Sequence, residues 1–206
     1  MKLNIQHLQR TKGKNKEYNE FLERVTATLI EQIDNLSNIA TEFSNFAKIP
    51  LAKNQEFVLT EQLQKVIDLY ETHDRAHIKF HTGDCKNLRI NADKEQFSRA
   101  IINLIKNGIQ SIPDERVGTI EISLKKRDHV VEIAVKDDGT GIPQELQEKL
   151  FSPSFTTKTS GMGLGLSIVK NIVENFSGKI WFETETGKGT TFFIEIPYLD
   201  EQLILD

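Results

Sequence analysis

Two runs of spaced glycines, each set where a regular element meets a turn, constrain this chain more than any other feature. The first, Asp137-Asp138-Gly139-Thr140-Gly141-Ile142, follows directly on Val130–Lys136, whose apolar and polar residues alternate as in a strand. The second, Ser160-Gly161-Met162-Gly163-Leu164-Gly165-Leu166, opens a segment in which Ile168, Val169, Ile172, Val173 and Phe176 recur at helical spacing. A strand ending in an acid beside a glycine turn puts a carboxylate at a sheet edge where another group can approach the backbone. That carboxylate can accept a hydrogen bond from an exocyclic amine such as that of adenine. Alternating glycines before a helix expose amides and the positive end of the helix dipole, which holds phosphate without net positive charge. Any polyphosphate here needs such a device, because the formal net charge is −4 and the pI about 5.8. The same balance removes the electrostatic case for nucleic acid or an anionic membrane as a main partner.

Two commoner glycine motifs do not fit. A dinucleotide-binding turn needs Gly-x-Gly-x-x-Gly with a strand leading straight in, whereas the polar Phe155-Thr156-Thr157-Lys158-Thr159 leads in here and reads as a loop. A phosphate loop of the Walker type needs Gly-Lys-Ser/Thr to close the run, and Gly165 is followed by Leu166.

The remaining pattern divides the chain. Tyr18 to Lys48 reads as one long helix, with Leu22, Leu29, Leu36 and Phe43 at one heptad position and Thr26, Ile33, Ala40 and Ala47 at another. Val25, Ile39 and Phe46 widen the stripe, which suits a helix bundle. Leu3–Arg10 reads as the end of an earlier helix and Thr11–Asn15 as a polar break. Such a hairpin cannot bury its apolar face alone, so a homodimer through the helical segment is expected; an arm packed on its own chain is the alternative. Pro50 stops the long helix. The expected organisation is therefore a partial hairpin over 1–49, a linker over 50–56 and a second domain over 57–206.

In that domain the pattern predicts a strand at Phe57–Leu59, a helix from Thr60 to about Thr72, and short strands at Ile78–Phe80 and Leu88–Ile90. Asp93 and Gln96 resemble a capping box opening a helix that buries Phe97, Ile101, Leu104, Ile105 and Ile112. Strands follow at Thr119–Lys125 and Val130–Lys136, and later at Lys179–Glu185 and Thr190–Ile196 around the turn Gly187-Lys188-Gly189. Helices on one side and mainly antiparallel strands on the other give an α+β fold, a two-layer α/β sandwich. On the helix opened by Asp93, Asn103 and Asn107 lie four residues apart and share a face. Their carboxamides can ligate a hard cation through oxygen or hydrogen-bond phosphate.

Read in order, these features form a constellation: Asn103-Leu-Ile-Lys-Asn107, Asp137-x-Gly139-x-Gly141, Leu150-Phe151 to Phe155-Thr-Thr-Lys158, Gly161-x-Gly163-x-Gly165-Leu166, and Gly187-x-Gly189-Thr190. The set resembles the nucleotide-binding boxes of two-component sensor histidine kinases, in the superfamily that includes DNA gyrase B, over about Phe57 to Pro197. Phe21–Thr26 and Glu42–Pro50 resemble the second helix of the dimerisation and phosphotransfer hairpin, with the flavour of nitrogen-regulation sensor kinases. The resemblance implies ATP and Mg²⁺ as cofactors, with Asp137 on the adenine amine, Thr190 beside it, and Gly139, Gly141 and Ile142 shaping the turn. It implies Asn107 as the Mg²⁺ ligand with Asn103 next to it. Phe155, Thr156, Thr157, Lys158, Ser160, Gly161, Met162, Gly163, Leu164, Gly165 and Leu166 would form the ATP lid and its root, with Thr157 and Lys158 near the terminal phosphate. Where many members of the family have a basic residue, this chain has Gln110, so phosphate charge would fall to Lys158 and the metal.

The resemblance also implies transfer of the γ-phosphate to a histidine and relay to a response-regulator receiver domain. None of the five histidines stands in a His-Glu-x-x-x-Pro context. The phosphoacceptor is therefore expected upstream of Met1, leaving no catalytic residue to assign here. The alternative is a nucleotide-binding regulatory or interaction module without phosphotransfer. His73, His77 and His81 cluster but match no metal-ligand spacing. An ATPase of the gyrase or mismatch-repair type would need a transducer domain and a glutamate just before Asn103. A lone Cys85 fits a reducing, cytoplasmic setting. No apolar run spans a bilayer, so no membrane contact is expected from this chain, while a longer parent can still be anchored upstream.

Overall fold

The computed structural model describes residues 16–47, 53–153 and 163–199 of the 206-residue chain. The chain divides into two units, the first holding helix α1 (Lys16–Ala47) and the second holding every other element of the described residues. The elements of the second are β1 (Gln55–Val58), α2 (Leu59–Asp68), β2 (Ala76–His81), β3 (Arg89–Ala92), α3 (Lys94–Ser111), β4 (Gly118–Arg127), β5 (Val130–Asp137), α4 (Gln144–Gln147), α5 (Gly165–Asn175), β6 (Lys179–Glu185) and β7 (Gly189–Pro197).

Helix α1 runs for 32 residues, about 48 Å at 1.5 Å per residue. Its predicted seam is unevenly covered: Leu22 and Ile33 are half-buried, Thr26 is buried, and Leu29 and Leu36 are 45% and 64% exposed. Thr26 carries its hydroxyl inward by donating to the Leu22 carbonyl at 2.7 Å. Phe43 and the other seam positions past Ser37 lie outside the described side chains, and the predicted earlier helix at Leu3–Arg10 lies outside the described residues.

In the second unit a five-stranded sheet runs β2-β4-β5-β7-β6, with β1 and β3 forming a separate antiparallel pair. All neighbours in the large sheet are antiparallel except β2 and β4, which pair in parallel from Ala76↔Gly118 to His81↔Ser123. Parallel neighbours need a long crossover, and β3 with α3 supplies it. Helices α3 and α5 pack on one face of the sheet, and α2 packs on α3. The layer between them is made of side chains at helical and strand periods: Phe97, Ile101, Leu104 and Ile105 from α3, Ile172 from α5, Ile120 and Ile122 from β4, Ile133 from β5 and Ile194 from β7. Each such side chain contributes about 1.5–3 kcal/mol by leaving water. Phe97 also meets Phe57 edge-on at 5.7 Å, which ties β1 to α3.

Most element boundaries differ from the sequence expectation by a residue or two, β3 running Arg89–Ala92 rather than Leu88–Ile90 and α3 ending at Ser111 with the buried Ile112 just past it; two of the differences have a clear physical cause. The strand expected at Phe57–Leu59 lies at Gln55–Val58, because Gln55 pairs with Ala92 while Leu59 turns into α2 with its N–H on the Leu88 carbonyl at 2.9 Å. Helix α2 ends at Asp68 rather than near Thr72, as the amides of Leu69, Tyr70 and Glu71 bond three residues back and tighten the last turn.

Asp93 caps α3 as expected. Its Oδ1 accepts the N–H groups of Glu95 and Gln96 at 2.9 and 3.0 Å, and its Oδ2 accepts the Lys53 N–H at 2.8 Å. Burial alone would raise this carboxyl, but the three backbone donors and the Lys53 charge hold it below its ordinary value. A depressed carboxyl contributes stability above its unfolded pKa and loses it as pH falls through the folded one. Asp93→Ala is therefore expected to cost about 1–2 kcal/mol in urea unfolding at neutral pH, with the difference from the parent narrowing in acid.

Candidate nucleotide site

The site sits where the C-terminal end of β5 meets the last turns of α3 and the start of β7. Helix α3 reaches β5 closely because Gly108 has no side chain: a β-carbon there would lie 2.7 Å from Ile120 Cδ1 and 3.1 Å from Asp137 Cβ. A glycine in mid-helix costs about 1 kcal/mol against alanine, so this contact is kept against local preference. It brings Ser111, eight residues from Asn103 on the same helical face, over the end of the strand.

Asp137 is 5% exposed. Its Oδ1 is filled: it accepts the Ser111 hydroxyl at 2.9 Å, the Gly139 N–H at 2.9 Å and the Thr190 N–H at 3.3 Å. Oδ2 has no hydrogen-bond partner among the described residues. Burial raises the Asp137 carboxyl above its ordinary value, the three donors oppose the rise, and the adjacent Asp138 charge adds to it. Such a group, with one oxygen held and the other open, is built to accept one further hydrogen bond from outside the chain.

Two glycines interlock the turn after Asp137 with the β6–β7 hairpin. Gly141, at φ +69°, leaves room for the Glu185 carbonyl, which would stand 2.2 Å from a β-carbon. Gly189, at φ +114°, does the same for the Asp137 carbonyl at 2.1 Å. Thr184 of β6 completes the wall. Its hydroxyl accepts the Ile142 N–H at 2.9 Å, reaches the Gly189 carbonyl at 3.1 Å and meets the Thr190 hydroxyl at 2.9 Å.

A second set of groups lies at the start of α5. Its N-cap residue, Leu164, provides no side-chain cap, and the Ile168 N–H is the first to bond back into the helix. Among the described residues the amides of Gly165, Leu166 and Ser167 have no capping acceptor, and they stand at the positive end of the dipole. Asn103 stands beside them, its carboxamide oxygen 3.6 Å from where a Gly165 β-carbon would be. Asn103 and Asn107 are both half-buried on α3. Carboxamide oxygens and amides at a helix start are the kinds of group that fit a metal-bound polyphosphate.

The structure thus joins Asp137, Gly139, Gly141, Ile142 and Thr190 in one interlocked wall, and sets Asn103 beside Gly165 at the start of α5. Gly163 is described at φ +66°, while Phe155, Thr156, Thr157, Lys158, Ser160, Gly161 and Met162 lie outside the described residues. Sequence reasoning missed Ser111 and Thr184. Ser111 could have been found as the next same-face position after Asn103 and Asn107, and Thr184 as the cross-strand partner of Thr190. Nothing in the sequence marks Arg116, whose guanidinium holds Asp138. Among the described residues no group of three or more His, Cys, Asp and Glu could hold a metal ion; His7 lies outside them.

Residues 92–200 match the family described as histidine kinase-, DNA gyrase B- and HSP90-like ATPase, and the chain belongs to that family. Within it, the relatives place this ATPase domain on the histidine-kinase side. Sporulation kinase A of Bacillus subtilis (strain 168) is 41% identical over 111 residues, 54% of this chain and 18% of that protein. The catalytic domain of histidine kinase ThkA is 40% identical with a TM-score of 0.63, covering 70% of this chain and 95% of that domain. ThkA in complex with response regulator protein TrrA matches at 31% identity and a TM-score of 0.70, over 94% of this chain and 55% of that one. The chain spans between about a fifth and two fifths of the length of curated relatives it matches. No helix among the described residues is long and apolar enough to cross a membrane.

Proposed function

We propose that this chain is the catalytic core of a two-component sensor histidine kinase. It binds Mg·ATP and, in the intact protein, transfers the γ-phosphate to a histidine for relay to a response-regulator receiver domain. The observation that carries the reading is Asp137, a buried carboxylate with one oxygen saturated by three donors and the other left for a ligand amine. The adenine amine would bond Oδ2, with the Thr184–Thr190 hydroxyl pair beside the base. The phosphates would run towards the amides of Gly165 to Ser167, and the segment from Phe155 to Met162 would cover them. Mg²⁺, when bound, would offset the charge of the phosphates beside those amides. Asn107 is the proposed ligand and Asn103 its neighbour at the phosphates. Exposed Leu29 and Leu36 on the α1 seam support a homodimer through that helix. A cytoplasmic location goes with this reading, since ATP and a receiver domain are met there.

The test is calorimetry with ADP and ATP, with and without Mg²⁺, followed by phosphotransfer in a form of the protein that carries a phosphoacceptor histidine. Nucleotide binding and an acid-labile phosphohistidine are the expected results, and failure of this chain to bind any adenine nucleotide would sink the proposal. Asn107→Ala is expected to remove most of the Mg²⁺-dependent gain in ATP affinity, about tenfold or more for one lost ligand, while leaving metal-free ADP binding close to that of the parent. Equal losses with and without Mg²⁺ would show that Asn107 is not a metal ligand.

A further inference from the structure

Asp138 is not part of the wall that would face the base, yet it is held by both its side chain and its main chain. Arg116, in the loop between α3 and β4, places Nη1 3.0 Å from Asp138 Oδ1 and donates from Nη2 to the Asp138 carbonyl. The same Oδ1 accepts the Thr119 N–H at 3.0 Å. Gly118 makes room for this approach, since a β-carbon there would stand 2.7 Å from Asp138 Oδ1. The loop that carries Arg116 is itself fastened, with the Gly118 N–H on the Arg75 carbonyl at 3.0 Å and the Arg75 guanidinium on the Ile112 carbonyl at 2.7 Å. One guanidinium thus grips a single residue by side chain and main chain at once, an arrangement a lysine ammonium cannot copy. Both side chains are about two-fifths exposed, so the ion pair by itself adds little to stability. What it fixes is geometry, because Asp138 lies between the Asp137 carboxylate and the Gly139 N–H that holds it.

We propose that Arg116 is a positioning residue for the nucleotide site: it locks the turn that aims Asp137 and screens that carboxylate from the charge of Asp138. The inference rests on the nucleotide reading above and adds to it a residue outside the site's own motifs. Among the described residues, Asp138 is the charged side chain acting on Asp137, with Arg116 set against it. The other groups facing the carboxylate, Ser111 from α3, Gly139 from the turn and Thr190 from β7, are neutral donors.

The experiment measures ADP affinity by calorimetry between pH 5 and 8 for the parent chain, Arg116→Ala and Arg116→Ala/Asp138→Asn. Ionised Asp137 is the form that accepts the adenine amine, so affinity falls as pH drops through its pKa. Arg116→Ala is expected to weaken ADP about tenfold at neutral pH and to move the acid limb of the profile upward, because Asp138 is then uncompensated. Adding Asp138→Asn should return the acid limb to its parental position. Arg116→Gln keeps a donor to the carbonyl and removes the charge, so it should move the limb with a smaller loss of affinity; it also serves where Arg116→Ala does not fold. Parental affinity and an unmoved limb in the folded Arg116 variants would overturn the proposal. So would a limb that stays raised after Asp138→Asn. A parent chain that binds no ADP would overturn the nucleotide reading itself, whereas parental binding with unaffected Arg116 variants overturns only the role of Arg116.

Discussion

Asp137→Asn will raise the melting temperature of the nucleotide-free protein and abolish its affinity for adenine nucleotides. The two effects share a cause. Burial raises the Asp137 carboxyl, so the ionised side chain opposes folding at neutral pH. For a carboxyl raised in the folded state, its favourable contribution is complete below the unfolded pKa and is lost as pH climbs through the folded one. An asparagine keeps an oxygen for Ser111, Gly139 and Thr190 and removes the charge. Its amide then presents N–H groups where Oδ2 stood, and a donor faces the adenine amine. Losing a charge-assisted hydrogen bond and gaining a donor–donor contact amounts to about 3 kcal/mol, a hundredfold or more in affinity. Thermal melts at pH 7 and pH 4.5 test the first half, since the gain over the parent should shrink in acid. Calorimetry tests the second. A less stable Asp137→Asn that still binds ADP would refute both.

Gly141→Ala is expected to cost about 3 kcal/mol or more, combining left-handed strain with backbone collision, and to eliminate nucleotide binding. Its β-carbon would meet the Glu185 carbonyl oxygen at 2.2 Å, Glu185 C at 2.8 Å and Thr186 Cα at 3.0 Å, all main-chain atoms that cannot rotate away. Gly187→Ala is the matched control. It too has a positive φ, +83°, but nothing lies within 4 Å of its β-carbon position, so only the conformational cost of about 1–2 kcal/mol applies. Urea unfolding of the pair separates strain from collision. Equal losses would mean that the turn and the hairpin are not locked together at Gly141.

Much of the second unit was legible because its elements carry strong periodicity. The burial of Phe97, Ile101, Leu104 and Ile105 follows the three-to-four spacing of α3, and Ile120, Ile122 and Leu124 follow the period of two in β4. Asp93 was readable as a cap because its side chain acts within its own turn. The errors fall where local signals compete with pairing. Leu59 continues the apolar run of Phe57 and Val58, and the register from Gln55↔Ala92 to Val58↔Arg89 with β3 decides that the strand has ended before it. The parallel pairing of β2 with β4 joins segments some forty residues apart, which no local pattern reveals.

The site divides in the same way. Asp137, Gly139, Gly141 and Thr190 were visible because acids and spaced glycines at element boundaries are rare enough to notice. Thr184 and Arg116 were not, since a threonine in a strand and an arginine in a loop are ordinary at those places. Their roles arise from contacts with residues six and twenty-two positions away. The long helix predicted over Tyr18–Lys48 is described as helical from Lys16 to Ala47, but the segment expected as an earlier helix, Leu3–Arg10, and the segment from Phe155 to Met162 fall outside the described residues.

Strand β7 closes the chain's last hairpin, yet it lies inside the sheet, between β5 and β6. While the chain is being synthesised, the edge of β5 therefore stays open until Gly189–Pro197 has emerged, and an open edge invites pairing with other chains. The same late strand supplies the Thr190 amide that holds Asp137 and the Gly189 backbone that seats against it. On the proposed reading, the nucleotide site is therefore completed only when β7 has emerged, together with the sealing of the sheet. A chain cut short before Gly189 is left with both defects: an open β5 edge and an Asp137 carboxylate without its Thr190 donor.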